Sequence, residues 1–367
     1  MSTALLDGLV IVDVTESLDG GFCARLLADM GAHVVRCEPR TADRPAAQDP
    51  RRLAEAIHVH RGKTIQQVER VSPDDADVRR LLVSADLLVD DGGPDGFVES
   101  ADDLAREHPD LVVTTISGFG RMAGWPGRPA PDLIRQAASG FSYQGGVTGG
   151  GPLRAGANLS LYVTGVAAAS ASLVALLAKR RRTAGAQRVD VSGVGVMLAA
   201  AGPEIARYSY GGRAANYERG SHDRLPATIM RCSDGYVGVN IANQKQWRAL
   251  CELADAEHVL QDPVLGHINY LRGAEDQELA MKPLRDFVAQ YTGRELAEMG
   301  QAHGVALSEI PTANDVLTSP QHGHRGFFSS VDVDGHGPVA VPRVPFVWRT
   351  TKEINPVNDM TGEGTEG

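Results

Sequence analysis

Residues 9–36 read LVIVDVTESLDGGFCARLLADMGAHVVR, and this stretch decides the fold. Residues 9–14 are a short apolar run, the pattern of a strand buried on both faces. Residues 22–30 carry apolar side chains at helical spacing and stop at Gly31, a residue suited to closing a helix. Residues 33–36 make a second short strand. Strand, helix and strand so close together form a βαβ unit, and such units build parallel sheets. The strand signal returns at residues 87–89 and 111–116, each time after a helical stretch. The first half therefore reads as an open α/β sheet.

Further along, residues 164–179 are Ala-rich and long enough for a buried helix. The longest apolar stretch, residues 159–178, is rich in Ala, Ser and Gly and reads as a buried helix more than a membrane span. It ends in Lys179, Arg180, Arg181 and Arg182, cations that suit the negative end of a helix dipole. Residues 187–191 are the next strand. After about Ala199 the character changes. Residues 228–231 and 236–241 flank Ser233-Asp234-Gly235, a hairpin signal, and helical patterns follow at 244–254 and 278–291. Thr292 and Glu295 have the spacing of a capping box, opening a helix that Gly304 closes. Residues 327–333 and 338–347 surround Asp334-Gly335, a second hairpin candidate, and the tail from Lys352 is polar.

With 367 residues the chain has room for two domains. Hydrophobic residues at 43% and charged residues at 22% fit an ordinary soluble globular protein. A net charge of -10 argues against a general nucleic-acid binder. Four cysteines without Cys-x-x-Cys spacing point to buried thiols in a reducing compartment. The N-terminus, MSTALLDGLVIVDV, has neither a basic region nor a cleavage site, so a cytoplasmic protein without membrane attachment is expected. The pairs His58/His60 and His322/His324 lack acidic or cysteine neighbours that would complete a metal site, and no metal is expected.

Several segments then fall into a known order. They are LLDGLVIVDVTE with ARLLADMGAHVVRCEPR, HRGKT at 60–64, SADLLVDDGGPDG at 84–96, HPDLVVTTISGFG, RPAPDLIRQAASG, RRTAGAQRVDVS, SHDRLPATIMRCSDGYVGVNI and SPQHGHRGFF. In this order they resemble the family III CoA-transferases, the group that also holds the acyl-CoA racemases, over roughly residues 5 to 350. The resemblance implies a large Rossmann-like α/β domain, residues 1–199, and a smaller α+β domain, residues 200–325. Residues 326–367 would return to the large domain, and two protomers would interlink into an intertwined dimer. It also implies coenzyme A or an acyl-CoA, together with a carboxylic acid, as substrates.

Against that pattern the chain departs where the chemistry lies. The family's nucleophilic aspartate attacks the thioester, but the matching position here is Leu161. No Asp or Glu occurs between Asp132 and Asp190, so no local shift supplies a carboxylate. The histidine of the racemases would fall at Pro131. The family's Asn-Phe-Arg-Pro-Gly loop is replaced by Asp91-Gly92-Gly93-Pro94-Asp95, and Asp90 and Asp91 would repel phosphates. Arg61 and Lys63, assisted by Arg36 and Arg40, are the cations implied for a CoA phosphate.

Asp132 lies at a position that borders the family's active site, and it also suits an N-cap for a helix over 133–141. Glu16 follows the first strand, at the end where open α/β sheets bind ligands. Gly145-Gly146 and Gly149-Gly150-Gly151 offer backbone N–H groups, and His222 falls near the domain junction of the family. The foremost reading is a subunit of a homodimer or heterodimer, with a related partner chain carrying the nucleophile. A second is altered chemistry on an acyl thioester or acid through Asp132 or Glu16. A third is a non-catalytic scaffold.

Overall fold

A computed structural model describes residues 5–40, 49–92, 97, 101–121, 125, 128–146, 150–181, 183, 185–211, 227–268, 271, 274–333 and 336–348. The chain divides into two compact units. One comprises Met1–Tyr143, Arg154–Ile205 and Gly326–Gly367, and the other Gln144–Leu153 and Ala206–Arg325.

The first unit is built on a parallel sheet of β1 (Val10–Asp13), β2 (His33–Pro39), β3 (Thr64–Val68), β4 (Leu87–Asp90), β5 (Val112–Ser117) and β6 (Gln187–Ser192). Their order is β3-β2-β1-β4-β5-β6, so the winding reverses between β1 and β4. At such a reversal the connections leave in opposite directions and open a crevice at the carboxyl ends of the strands. The register sets Asp13 beside Arg36 on one side and Val89 on the other, and lines up Asp90, Thr115 and Asp190 across three strands. Every residue of β4 is buried, which explains its continuous apolar run.

Two helices cover one face near the crevice. Helix Leu18–Asp29 starts at Ser17, whose side chain accepts the Gly20 N–H, and the chain turns away through Gly31 at φ 100°. The long helix Leu159–Arg180 buries Ser160, Thr164, Ala168, Ser172 and Leu176. The two helices pack closely because Gly165 has no side chain: a Cβ there would lie 2.7 Å from the Asp19 carbonyl oxygen. The long helix is apolar enough to cross a membrane by length and composition. Its small-residue face nevertheless lies on the sheet, where the Ser172 and Thr114 hydroxyls are 2.8 Å apart.

Where sequence reasoning and structure part, the causes are local. β3 is absent from the reading above because TIQQV, at the sheet edge, is mostly exposed and carries no apolar run. Helix Asp132–Ala138 is shorter than the expected 133–141, since Gly140 at φ 76° breaks it before a separate turn at Phe141–Gln144. Its N-cap is Pro131 and not Asp132, so the capping role expected for Asp132 on its own helix is corrected here.

The second unit holds the antiparallel sheet β7 (Ala227–Arg231), β8 (Tyr236–Asn240) and β9 (Ala306–Glu309). Trp247, Leu250, Leu284, Val288 and Leu296 form its core. The Thr292–Glu295 capping box is present, and Gly304 closes that helix at φ 70°. The final hairpin, β10 (Phe328–Val333) and β11 (Gly337–Pro342), is antiparallel and belongs to the first unit, while its turn at Asp334-Gly335 lies outside the described residues.

Candidate functional site

β1 ends in Asp13, which is fully buried. Its Oδ1 accepts the Thr15 N–H at 3.0 Å and the Thr15 hydroxyl at 2.7 Å, while Lys63 Nζ donates to Oδ2 at 2.8 Å. Lys63 also donates to the Gly21 carbonyl at 2.8 Å and lies 3.4 Å from His60 Nδ1. Burial alone would raise the Asp13 pKa, but the charges of Lys63 and Arg36 outweigh it and hold the carboxyl below its ordinary value. Lys63 thus stands in the interior as the countercharge of Asp13.

The other expected cations are also placed. Arg61 donates to Asp29 at 2.7 Å and to the Ser329 hydroxyl at 3.1 Å, tying β10 to the first helix. Arg36 donates to the Thr15 carbonyl at 2.7 Å and to Glu38 at 3.0 Å. Arg40 is 66% exposed with Asp77 at 3.7 Å, the most accessible of the four. Burial pushes His58 down to about 4, helped by the neighbouring Arg25 and Arg61, so its imidazole is neutral at pH 7. Burial takes His60 down to about 3.

Across the crevice, β4 ends in Asp90, and Asp91 follows it. The Asp91 carboxylate accepts the N–H groups of Glu16 and Ser17, each at 2.7 Å. Glu16 keeps an exposed side chain at the mouth. Asp90 is 2% exposed; its Oδ1 accepts the Gly92 N–H, and its Oδ2 has no partner among the described residues. Burial, opposed by the Gly92 hydrogen bond, raises its pKa to about 7. Thr115, its register neighbour on β5, has a buried hydroxyl that also lacks a partner among the described residues.

The second half of the site is the turn that leads into helix Leu159–Arg180. Asp132 Oδ1 accepts the Ser160 N–H at 3.0 Å and its hydroxyl at 2.8 Å; Oδ2 accepts Gln136 at 2.8 Å and Arg154 at 2.9 Å. Gln136 in turn clamps Ala155 through both its N–H and its carbonyl. Burial would lift the Asp132 pKa, but the bonds from Ser160 and Gln136 and the Arg154 charge hold it below its ordinary value. Asp132 therefore caps the long helix from another segment. The turn it holds is strained: Ala157 and Asn158 take φ of 58° and 52° in succession. Leu161 follows in the first helical turn. Asp132→Ala is expected to cost roughly 2–3 kcal/mol in urea denaturation, with faster hydrogen exchange at the Ser160 amide.

One feature escaped the sequence reading. Asp19 and Arg135 form a buried ion pair, Oδ2 to NH1 2.6 Å, with Thr164 Oγ1 at 3.3 Å from the same guanidinium nitrogen. Gly193 makes room for it, since a Cβ there would lie 2.6 Å from Arg135 NH1. The only signal in the sequence was an arginine inside a short helix whose one other charge is Asp132. Among the described residues no group of His, Cys, Asp and Glu is arranged to hold a metal. Gly93, Pro94, Asp95, Gly149, Arg182 and His222 lie outside the described residues.

Known proteins share this sequence pattern and fold. The profile of CoA-transferase family III matches residues 6–359. The subunit BbsE of succinyl-CoA:(R)-benzylsuccinate CoA-transferase from Thauera aromatica is 28% identical, over 92% of this chain and 86% of that one. Succinyl-CoA:mesaconate CoA-transferase from Haloarcula hispanica is 27% identical, over 90% and 86%. A solved CaiB/BaiF family protein from Brucella suis superposes with a TM-score of 0.77 at 24% identity, covering 94% of this chain and 92% of that chain, a likeness of fold. This chain belongs to CoA-transferase family III.

Proposed function

We propose that the chain handles an acyl-CoA or a carboxylic acid as one subunit of a CoA-transferase whose nucleophile is carried by a related partner chain. One observation carries the reading. The turn before the long helix is fully built, with Asp132, Gln136 and Arg154 holding residues 155–160, yet it presents Leu161, a side chain that can form no acyl anhydride. A strained turn kept in place without a nucleophile fits a protein that still binds or shapes a site. The name of the Thauera aromatica relative, a subunit, supports the same reading.

The helix surface supports a partner too. Val166 (48% exposed), Val174 (68%) and Leu177 (47%) recur at helical spacing on Leu159–Arg180 and leave an apolar stripe without cover in the single chain. Either a second copy or a related chain would cover it. Of the alternatives, altered chemistry through Asp132 is disfavoured, because both oxygens are already engaged by donors; Glu16, exposed at the crevice, keeps that reading open.

The test compares the purified chain alone, the chain co-purified with a sister carrying the aspartate, and Leu161→Asp alone. Transfer of CoA from succinyl-CoA to a dicarboxylic acid is followed by chromatography. Activity is expected only with the sister chain, or at a low rate with Leu161→Asp. Transfer by the unaltered chain alone would sink the reading.

A further inference from the structure

The carboxyl-end crevice between β1 and β4 is where an open α/β sheet takes a ligand, and the helix that starts there is built to receive an anion. Here the turn that leads into this helix already holds a protein carboxylate. The Asp91 carboxylate lies on the N–H groups of Glu16 and Ser17, at 2.7 Å from each. These are charge-assisted bonds at the length of a bound oxyanion. Further into the helix, the Gly20 N–H goes to Ser17 Oγ at 3.3 Å and the Gly21 N–H to the Ser17 carbonyl at 2.9 Å.

The cation nearest the end of β1 is withdrawn from the crevice. Arg36 spends its guanidinium on the Thr15 carbonyl at 2.7 Å and on Glu38 at 3.0 Å. Lys63 is buried under Asp13, at 2.8 Å. One residue before Asp91, the buried Asp90 at the end of β4 carries an Oδ2 without a partner among the described residues. Arg121 and Arg188 are the cations close enough to act on Asp90, and the burial of that carboxyl outweighs them.

We infer that Asp91 is a resident anion that takes the place of a ligand phosphate, making it the residue by which this chain rejects the nucleotide end of coenzyme A. The inference rests on the CoA-handling reading above and deepens it. A subunit whose own anion position is plugged leaves the nucleotide to its partner and keeps its crevice for the uncharged pantetheine arm of an acyl-CoA. Two elements meet in the contact: Asp91 closes the gap between β4 and the turn after β1. Replacing the carboxylate by an amide keeps an acceptor for both N–H groups but removes the charge, so the effect on a phosphate ligand is separable from any effect on folding.

The experiment is calorimetric titration of the full chain and of Asp91→Asn with CoA, pantetheine and adenosine 3′,5′-bisphosphate, with Asp91→Ser as a second charge-removing variant. The unaltered chain is expected to bind CoA no more tightly than pantetheine and to ignore the bisphosphate. Asp91→Asn is expected to bind CoA and the bisphosphate at least tenfold more tightly, with pantetheine unchanged. An unaltered chain that already prefers CoA over pantetheine tenfold would overturn the inference, as would variants that leave the bisphosphate unbound. If the variants gain the bisphosphate while CoA and pantetheine bind nothing, the plug stands and the CoA-handling reading falls.

Discussion

Lys63→Met is expected to destabilise the protein by about 3–5 kcal/mol at pH 7, because it leaves a fully buried Asp13 carboxylate without its countercharge. The loss is large because the environment cannot help. Both side chains of the pair are 0% exposed, so water cannot replace the ammonium. Arg36 NH1, at 3.7 Å, is too far for a hydrogen bond. Thr15 satisfies only Oδ1. The pH dependence should reverse as well. In the unaltered protein Asp13 titrates below its ordinary 3.8, so its contribution is present above that pH and fades as pH falls further. In Lys63→Met the largest opposition to burial is gone, with only Arg36 and the Thr15 bond left to resist it, so the carboxyl should rise and the variant should recover stability on acidification from pH 7 to pH 5. Urea denaturation at both pH values reads this directly. The double variant Asp13→Leu/Lys63→Met should return to within about 1–2 kcal/mol of the parent, since a buried pair is often replaceable by apolar side chains. A single variant as stable as the parent at pH 7 would mean that Asp13 is not the buried charge the geometry describes.

The same pair shows how far the sequence could be read. Leu87, Leu88 and Val89, all buried, announce a central strand by their apolar run, and Thr292 with Glu295 announces a helix by a two-residue chemistry that needs no tertiary partner. Such signals are local, and the parallel sheet and the capping box follow from them. Lys63 and Asp13 are fifty residues apart, and their bond depends on β2 lying between β1 and β3, which no spacing encodes. Asp132 is similar. Its cap is delivered to Ser160 across twenty-eight residues, so the sequence offered a capping aspartate but not the helix it caps. Asp19 and Arg135 went unread for the same reason: each is unremarked in its own helix, and only the packing permitted by Gly165 and Gly193 brings them together. Leu161 was legible at once, because what it reports is an absent functional group.

Asp90→Asn is expected to stabilise the protein, with a gain that grows by about 2–3 kcal/mol between pH 5 and pH 8. Burial raises the Asp90 carboxyl from 3.8 to about 7, so between those values the folded chain holds a proton that the unfolded chain has lost. Stability is therefore drawn down as pH rises through this window, and above pH 7 the cost is complete. Asparagine keeps the Oδ1 acceptor used by the Gly92 N–H and removes the titration. Thr115, the register neighbour of Asp90, has a hydroxyl without a partner among the described residues and offers an acceptor for the new N–H₂ group. Denaturation midpoints at pH 5 and pH 8 decide the matter, and equal gains at both would show that the buried carboxyl does not titrate there. The neighbour adds a second expectation. The Asp91 charge is one of the influences that raise Asp90, so Asp91→Asn should narrow the pH window from above. A crevice that destabilises the chain as pH rises is not optimised for folding alone. Paired acidic residues at a sheet reversal, one buried and one holding the N–H groups of the opposite turn, make sense where a phosphate is to be kept out.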